Sequence, residues 1–187
     1  MSLEATKELA PTGVLRAAIN MSNFLLVTGK TAAGEPDGVS PDMARELAKR
    51  LNVELELLQY KTPGEVSDDA GKGIWDIGNI GAEPKRAERI DFTAAYCEIQ
   101  STYMVPPGSE ITSLEQVDQK GIRIAVSARS AYDLWLERNI KNAELVRVDG
   151  IDASFDVFME RKLEALAGLR PRLITDVKQV PGAKILE

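Results

Sequence analysis

The chain has 187 residues, of which 44% are hydrophobic and 28% charged, the balance of a globular protein with one large domain or two small ones. Its formal net charge of -6 argues against nucleic acid as a partner, because phosphate binding needs a basic surface. Histidine is absent and Cys97 is the one cysteine, which excludes a Ser-His-Asp triad, a zinc site with histidine ligands and an internal disulfide. The acidic residues show no metal-ligand spacing, and we expect neither a metal nor a cofactor.

Strand and helix patterns alternate along the first 81 residues. Buried strands are predicted at 14–20, 53–60 and 74–81, and a short helix within 62–73. Ser40, followed by Pro41 and Asp42, predicts a helix that begins with Ser40 as N-cap. Met43, Leu47 and Leu51 recur every four residues, and we expect this apolar stripe to face the core.

A second series follows an extended segment at 101–109. Strands are predicted at 122–127, 143–148, 163–169 and 183–187, with a short helical piece at 113–121. Ser130 is the predicted N-cap of a helix at 131–139, with Tyr132, Trp135 and Leu136 on its inner face. A further helix at 154–162 is expected to bury Phe155, Phe158 and Met159. Two sets of strand–helix–strand units predict an α/β protein with two mostly parallel sheets.

Several spaced motifs occur in one order: GVSPD at 38–42, GIWD at 73–76, Arg86, DFT at 91–93 and Tyr96. From about Gly13 to about Leu169 the chain resembles the periplasmic amino-acid-binding proteins of ABC transporters, the extracellular solute-binding family 3. The resemblance implies two α/β lobes, each a mostly parallel sheet flanked by helices, that close on a ligand by a hinge motion. Residues 13–98 would form lobe one and 104–180 lobe two, with the hinge at about 99–103 and after 180.

Family members usually continue past the point where this chain ends. We therefore expect an incomplete first lobe that lacks its usual C-terminal return. A lobe without its covering helices would expose an apolar face, which favours self-association.

The resemblance also assigns residues of the first lobe to a ligand site. Arg86 stands where the family grips a carboxylate, and a guanidinium offers two parallel N–H donors for that task. Asn79 and Gly81 fall at the preceding strand end, and Glu83 replaces a ligand-binding threonine. In the MSNF stretch, Asn23 and Phe24 occupy the place of an aromatic stack. From residue type alone, Arg86 as a solvated helix residue is the alternative.

In the second lobe the matching turn is SARSA, which provides Ser127, Arg129 and Ser130, with Arg129 in place of a glycine. The aspartate that anchors an α-ammonium group in the family would fall near Gly168 or Leu169, and it is absent. These departures predict a small carboxylate or another anion, or an amino-acid-like ligand, rather than a standard amino acid.

The resemblance implies a periplasmic, non-catalytic receptor that delivers its ligand to an ABC permease or a sensor. The chain shows no signal peptide, which we assume to have been removed. An enzyme of the cyclohexadienyl dehydratase type is the alternative, with Glu83 or Glu98 as general acid. The absence of histidine and of a nucleophile–base pair counts against it. A sensory domain that has lost its ligand is a third possibility. Cys97 is expected to be a small buried hydrophobe.

Overall fold

The structure is a computed structural model that describes residues 3–187. The chain divides into two compact units, a first that ends at Phe92 and a second that comprises Thr93–Glu187. Within the described range, no helix is long and apolar enough to span a membrane. The same range contains no group of three acidic or cysteine side chains that could hold a metal ion.

The first unit is built on a small parallel sheet of three strands in the order β4-β1-β5. The central strand is buried: Leu15, Ala17 and Ile19 pack against Ala44 and Ala48 of the long helix α2. The elements of this unit are α1 (Leu3–Leu9), β1 (Val14–Asn20), β2 (Gly29–Lys30), β3 (Pro36–Asp37), α2 (Val39–Leu51), β4 (Glu54–Tyr60), α3 (Pro63–Asp68), β5 (Ile77–Gly78) and α4 (Pro84–Ala87).

The second unit is built on a five-stranded sheet in the order β10-β6-β9-β7-β8. Strands β9, β7 and β8 are parallel, whereas β6 and β10 are antiparallel to their neighbours. Its elements are β6 (Ser101–Val105), a 3-10 helix (Leu114–Gln116), β7 (Arg123–Ser127), α5 (Ala131–Asn139), β8 (Glu144–Val148), α6 (Ile151–Glu160), β9 (Ala165–Leu169), α7 (Arg170–Asp176), a second 3-10 helix (Val177–Gln179) and β10 (Lys184–Ile185).

Side chains of the second sheet alternate between two apolar clusters, as the pleat of a strand requires. Ile124 and Val126 of β7 belong to the cluster that contains Leu136 of α5. Ala125 belongs to the other cluster, with Phe158 of α6 and Leu173 of α7. Helix α5 therefore covers one face of the sheet, and helices α6 and α7 cover the opposite face.

Both units repeat one arrangement of three parallel strands, with the first strand central, the second on one side and the third on the other. The sequence shows no matching repeat. Each central strand carries an arginine near its start, and this arginine forms an ion pair with the carboxylate of the residue directly before the third strand. Arg16 forms a forked ion pair with Asp76, and Arg123 forms the same pair with Glu164. The backbone N–H of each arginine also donates to that carboxylate.

The structure corrects several predicted elements. Helix α2 is capped by Gly38, so Ser40 lies inside its first turn and is buried. The strand predicted at 74–81 is reduced to Ile77–Gly78. Strand β6 begins at Ser101, so the extended segment predicted at 101–109 is a strand only as far as Val105.

Three side chains that the periodicity assigned to the core are exposed: Met43 by 41%, Trp135 by 53% and Met159 by 42%. Cys97 is exposed as well, contrary to the expectation of a buried residue. Helix α7 was not predicted at all.

Candidate functional site

In the first unit, Arg86 lies on the short helix α4 and contacts the loop that connects β5 to this helix. The Arg86 side chain is buried, with 3% exposure, and its Nη1 donates to the carbonyl oxygen of Gly81 at 2.8 Å. Glu83 is the N-cap of α4: its carboxylate accepts the N–H of Lys85 at 2.9 Å, and Pro84 follows as the first helical residue. Arg86 is therefore not a solvated helix residue, and Glu83 has a structural task in the same turn.

The other predicted residues of this unit support turns at the carboxyl ends of its strands. The Nδ2 of Asn79 donates to the Oγ of Ser40 at 3.1 Å, which ties the loop after β5 to the first turn of α2. The Oδ1 of Asn23 accepts the N–H of Leu25 at 3.2 Å within its own turn, beside the half-buried Phe24. Within this unit, a direct hydrogen bond joins Arg86 and Gly81 of the predicted set.

In the second unit, the turn between β7 and α5 carries Ser127, Arg129 and Ser130. Both serines are buried, and the Oγ of Ser130 accepts the N–H of Asp133 at 3.1 Å, the N-cap bond that the sequence predicts. Arg129 has a φ of 60°, in the left-handed region that favours glycine, and its side chain is exposed.

A buried carboxylate organises this turn. The Oδ2 of Asp133 accepts the N–H of Arg129 at 2.7 Å, and its Oδ1 accepts from the Nε of Arg147 at 2.8 Å. The Asp133 side chain is 4% exposed, and Arg147 balances its charge. The backbone N–H of Arg129 is thus taken by the protein's own carboxylate.

Tyr132, which the sequence assigned to the apolar face of α5, packs against the cluster of Ile124 and Val126 and also lies beside Ser127 and Ser130. Burial raises the pKa of its hydroxyl, whereas hydrogen bonds with Ser130 and Ser127 lower it. The net effect is a raised pKa, which keeps the phenol protonated at neutral pH. Its hydroxyl therefore joins the two serines at the carboxyl end of β7. The sequence signal for this contact is the position of Tyr132 in the first turn of α5, two residues after the N-cap Ser130.

A second overlooked residue is Arg172, in the first turn of α7. Its Nε donates to Asp176 at 2.8 Å, and its Nη1 donates to Asp152 at 2.7 Å. Burial lowers the pKa of Arg172, but the hydrogen bonds with Asp176 and Asp152 outweigh this effect, and the net pKa is raised. Burial raises the pKa of Asp176. The preceding residues, Gly168 and Leu169, carry no carboxylate at the end of β9.

Comparison with known proteins places these features in a family. The family model of the bacterial extracellular solute-binding proteins, family 3, matches residues 18–179. The chain belongs to this family. The resemblance stated from the sequence is thereby confirmed.

One curated relative is named as a binding protein and another as an enzyme. The L-cystine-binding protein TcyJ of Escherichia coli (strain K12) is 25% identical over 134 residues, which cover 71% of this chain and 50% of that protein. Cyclohexadienyl dehydratase of Pseudomonas aeruginosa is 27% identical over 184 residues, which cover 91% of this chain and 68% of that protein. The chain thus spans about half the length of the cystine-binding relative.

Solved structures confirm the fold class. The ancestral amino acid-binding protein AncCDT-1, described as a precursor of cyclohexadienyl dehydratase, superposes with a TM-score of 0.78 at 19% identity, over 98% of this chain and 81% of that one. An ancestral arginine-binding protein bound to arginine gives 0.73 at 23% identity, over 93% and 78%. The α/β periplasmic-binding-protein fold is therefore established for this chain.

Proposed function

We propose that this chain is an extracytoplasmic solute-binding protein that binds a small carboxylate or amino-acid-like ligand and delivers it to the permease of an ABC transporter. The observation that carries the proposal is the family match over residues 18–179, which includes the buried Arg86. The family's description as extracellular supports the location, and a relative named for L-cystine binding supports the ligand class.

Arg86 supports a carboxylate as the bound group. Its guanidinium is held in a buried turn by the carbonyl of Gly81, so that little side-chain freedom remains to be lost on binding. A guanidinium matches the two oxygens of a carboxylate with parallel N–H donors, which a lysine ammonium does not do.

The end of β9 argues against an ordinary zwitterionic amino acid. Gly168 and Leu169 stand in the stretch where the resemblance places an ammonium-anchoring aspartate, and neither bears an acceptor in its side chain. A free ammonium group would lose hydration there without an anionic partner, which is costly. A carboxylate without an adjacent ammonium group suits these residues better.

The test is a thermal-shift and calorimetric screen of the full chain against amino acids, monocarboxylates, dicarboxylates, keto acids and inorganic anions. A ligand at 100 times its Kd stabilises the folded chain by about 2.7 kcal/mol, a readily measured shift. Arg86→Lys should abolish the response, whereas Arg89→Lys, at an exposed position three residues on, should keep it. Tight binding of a zwitterionic amino acid that survives Arg86→Lys would overturn the proposal.

A catalytic role is the second candidate, because cyclohexadienyl dehydratase is among the relatives. Of the two acids considered from the sequence, Glu98 is exposed and lacks the enclosure that a general acid needs. Glu83 is buried but caps α4 with its carboxylate. Incubation with a cyclohexadienyl carboxylate would show an aromatic product by ultraviolet absorbance if the chain is an enzyme. We expect no turnover, and turnover that Glu83→Gln abolishes would establish catalysis.

A further inference from the structure

The chain contains two Asp-Gly pairs, Asp37–Gly38 and Asp149–Gly150. In each pair the backbone nitrogen that follows the aspartate belongs to a residue without a Cβ, so the side-chain carboxyl group can reach this nitrogen with little steric hindrance. Each pair stands directly before a helix, α2 or α6, and both aspartates are exposed. Dipeptide and exposure therefore do not distinguish the two pairs, whereas the surrounding backbone does.

The backbone on both sides of Gly38 is held in place. The carbonyl oxygen of Asp37 accepts the N–H of Thr28 at 2.9 Å, and the N–H of Ser40 donates to the carbonyl oxygen of Leu26 at 2.9 Å. A Cβ at Gly38 would lie 2.7 Å from that same oxygen of Leu26. Rotation of the peptide plane between Asp37 and Gly38 therefore requires the loss of hydrogen bonds and the displacement of packed backbone.

The second pair lies in the short connection between the end of β8 at Val148 and the start of α6 at Ile151. Gly150 has a φ of 108° and a ψ of 156°, a conformation that residues with a side chain rarely adopt. Among the residues that the structure describes, a Cβ at Gly150 would meet open space. The peptide plane between Asp149 and Gly150 can therefore rotate without displacing packed backbone, and the carboxyl group of Asp149 can approach the nitrogen of Gly150.

We propose that Asp149 is a site of spontaneous covalent modification, at which its carboxyl group closes a ring on the backbone nitrogen of Gly150 and the residue becomes isoaspartate, whereas the fold protects Asp37. Ring closure forms a bond between that nitrogen and Cγ of Asp149 and releases one water, which takes the amide proton and the hydroxyl of the carboxyl group. Water then adds to the main-chain carbonyl carbon of Asp149 and breaks its bond to the nitrogen. The main chain now runs through Cγ, and a carboxyl group remains on Cα. Neither an oxidant nor a reductant takes part.

The modification lengthens the main chain by one methylene group directly before α6. The carbonyl oxygen of Gly150 accepts the N–H of Ser154 at 3.2 Å, and the carboxylate of Asp152 accepts from Arg172 of α7 at 2.7 Å. Both contacts depend on where α6 begins. We therefore expect isoaspartate to loosen the first turn of α6 and to lower the stability of the second unit.

The experiment follows isoaspartate in the full chain during several weeks at neutral pH and physiological temperature. Trypsin cleaves after lysine and arginine and so places the two pairs in separate peptides, Thr31–Arg45 and Val148–Arg161. Electron-transfer fragmentation distinguishes isoaspartate from aspartate in each peptide. We expect it to form about tenfold faster in Val148–Arg161, because the reaction at Asp37 first requires the loss of local hydrogen bonds. A parallel incubation in concentrated urea should bring the two rates together.

Two matched variants test the assignment. In Asp149→Glu the longer side chain would have to close a larger and less favourable ring, so that most of the isoaspartate of the whole chain should disappear. Asp37→Glu makes the same change at the other exposed aspartate and should leave the total nearly unchanged. Total isoaspartate is measured by methyl transfer with an isoaspartyl carboxyl methyltransferase. Incubated wild-type chain should also unfold at lower urea than fresh chain, whereas incubated Asp149→Glu should not.

Equal rates in the two peptides of the folded chain, or a faster rate at Asp37, would overturn the proposal. A difference that persists unchanged in urea would also overturn it, because neighbouring residues rather than the fold would then set the rates. The same holds if isoaspartate forms in urea but in neither peptide of the folded chain. Should Asp149→Glu fail to fold, the comparison of the two wild-type peptides decides the question.

Discussion

Replacing Arg16 by methionine should destabilise the first unit by about 3 kcal/mol, the lower end of the range for one lost partner of a buried ion pair. The Oδ2 of Asp76 accepts from the backbone N and the Nε of Arg16 at 2.9 and 3.0 Å, and its Oδ1 accepts from Nη2 at 2.6 Å. The side chains are 18% exposed for Arg16 and 6% for Asp76. Methionine fills much of the same volume but leaves the carboxylate without a compensating charge.

Replacing the partner, Asp76, by asparagine should destabilise the first unit less. In Asp76→Asn the amide oxygen can still accept the N–H of Arg16, and the guanidinium, being 18% exposed, can reach water. We expect a loss of about 1.5 kcal/mol, the value of a hydrogen bond to a charged group. The double variant Arg16→Met/Asp76→Asn should be more stable than Arg16→Met alone, because the isolated buried carboxylate is gone.

The assay is urea unfolding followed by tryptophan fluorescence. The chain has two tryptophans, and a Trp135→Phe background leaves Trp75 as the reporter within the first unit. With an m-value of about 1.5 kcal/mol/M, a loss of 3 kcal/mol lowers the midpoint by about 2 M urea. The control is Arg50→Met, whose partner Glu46 lies one turn away on α2 with both side chains more than half exposed. It should change the free energy of unfolding by about 0.5 kcal/mol or less.

The reasoning fails if the double variant is no more stable than Arg16→Met. That result would mean that lost packing of the arginine stem, rather than an uncompensated carboxylate, sets the cost. A loss for Arg50→Met equal to that for Arg16→Met would also refute it, since burial would then have no influence.

Further substitutions test the backbone conformation and one pKa shift. Gly38→Ala should cost more than about 2 kcal/mol, because φ is 131° and a Cβ would lie 2.7 Å from a backbone carbonyl oxygen. Gly34→Ala, at a φ of 83° in open space, should cost about 1 kcal/mol, and chemical denaturation compares the two. Arg129→Gly should raise stability by about 0.5–1 kcal/mol, whereas alanine at this position should not, because φ is 60°. Backbone N–H groups, led by that of Ala143, lower the pKa of Asp118. The hydrogen bonds to the ionised carboxylate therefore add to the free energy of unfolding. This contribution is complete above the unfolded pKa of about 3.9 and is lost as the pH falls through the lower folded pKa. Acid unfolding of Asp118→Asn should lack that part of the pH dependence.

Strong local patterns made much of the fold predictable. Strands β1, β4, β7 and β8 were predicted to within one residue at each end, because apolar residues continue or alternate over several positions. The cap at Ser130 followed from its hydroxyl in front of a helical pattern. The family resemblance supplied the fold class, which the solved structures confirm.

Other features depend on contacts that no local pattern reveals. Helix α2 begins one residue before Ser40, because Gly38 adopts a φ of 131° that turns the chain into the helix. Helix α7 begins after Leu169, which offers no side-chain cap, so the usual start signal is missing. The burial of Arg86 arises from the fold of its loop, whereas sequence patterns treat every arginine as polar. The ligand roles of the predicted residues remain predictions.

The forked clamps of Arg16 and Arg123 stand at the amino ends of the strands, whereas Ser127, Tyr132 and Arg172 stand at the carboxyl ends. We therefore expect substitutions that change ligand preference to lie away from the ion pairs that join neighbouring strands. A lineage can abandon one ligand and acquire another while its folding core stays nearly constant. The carboxyl ends of the strands can therefore change their chemistry while the ion pairs at the amino ends keep neighbouring strands joined.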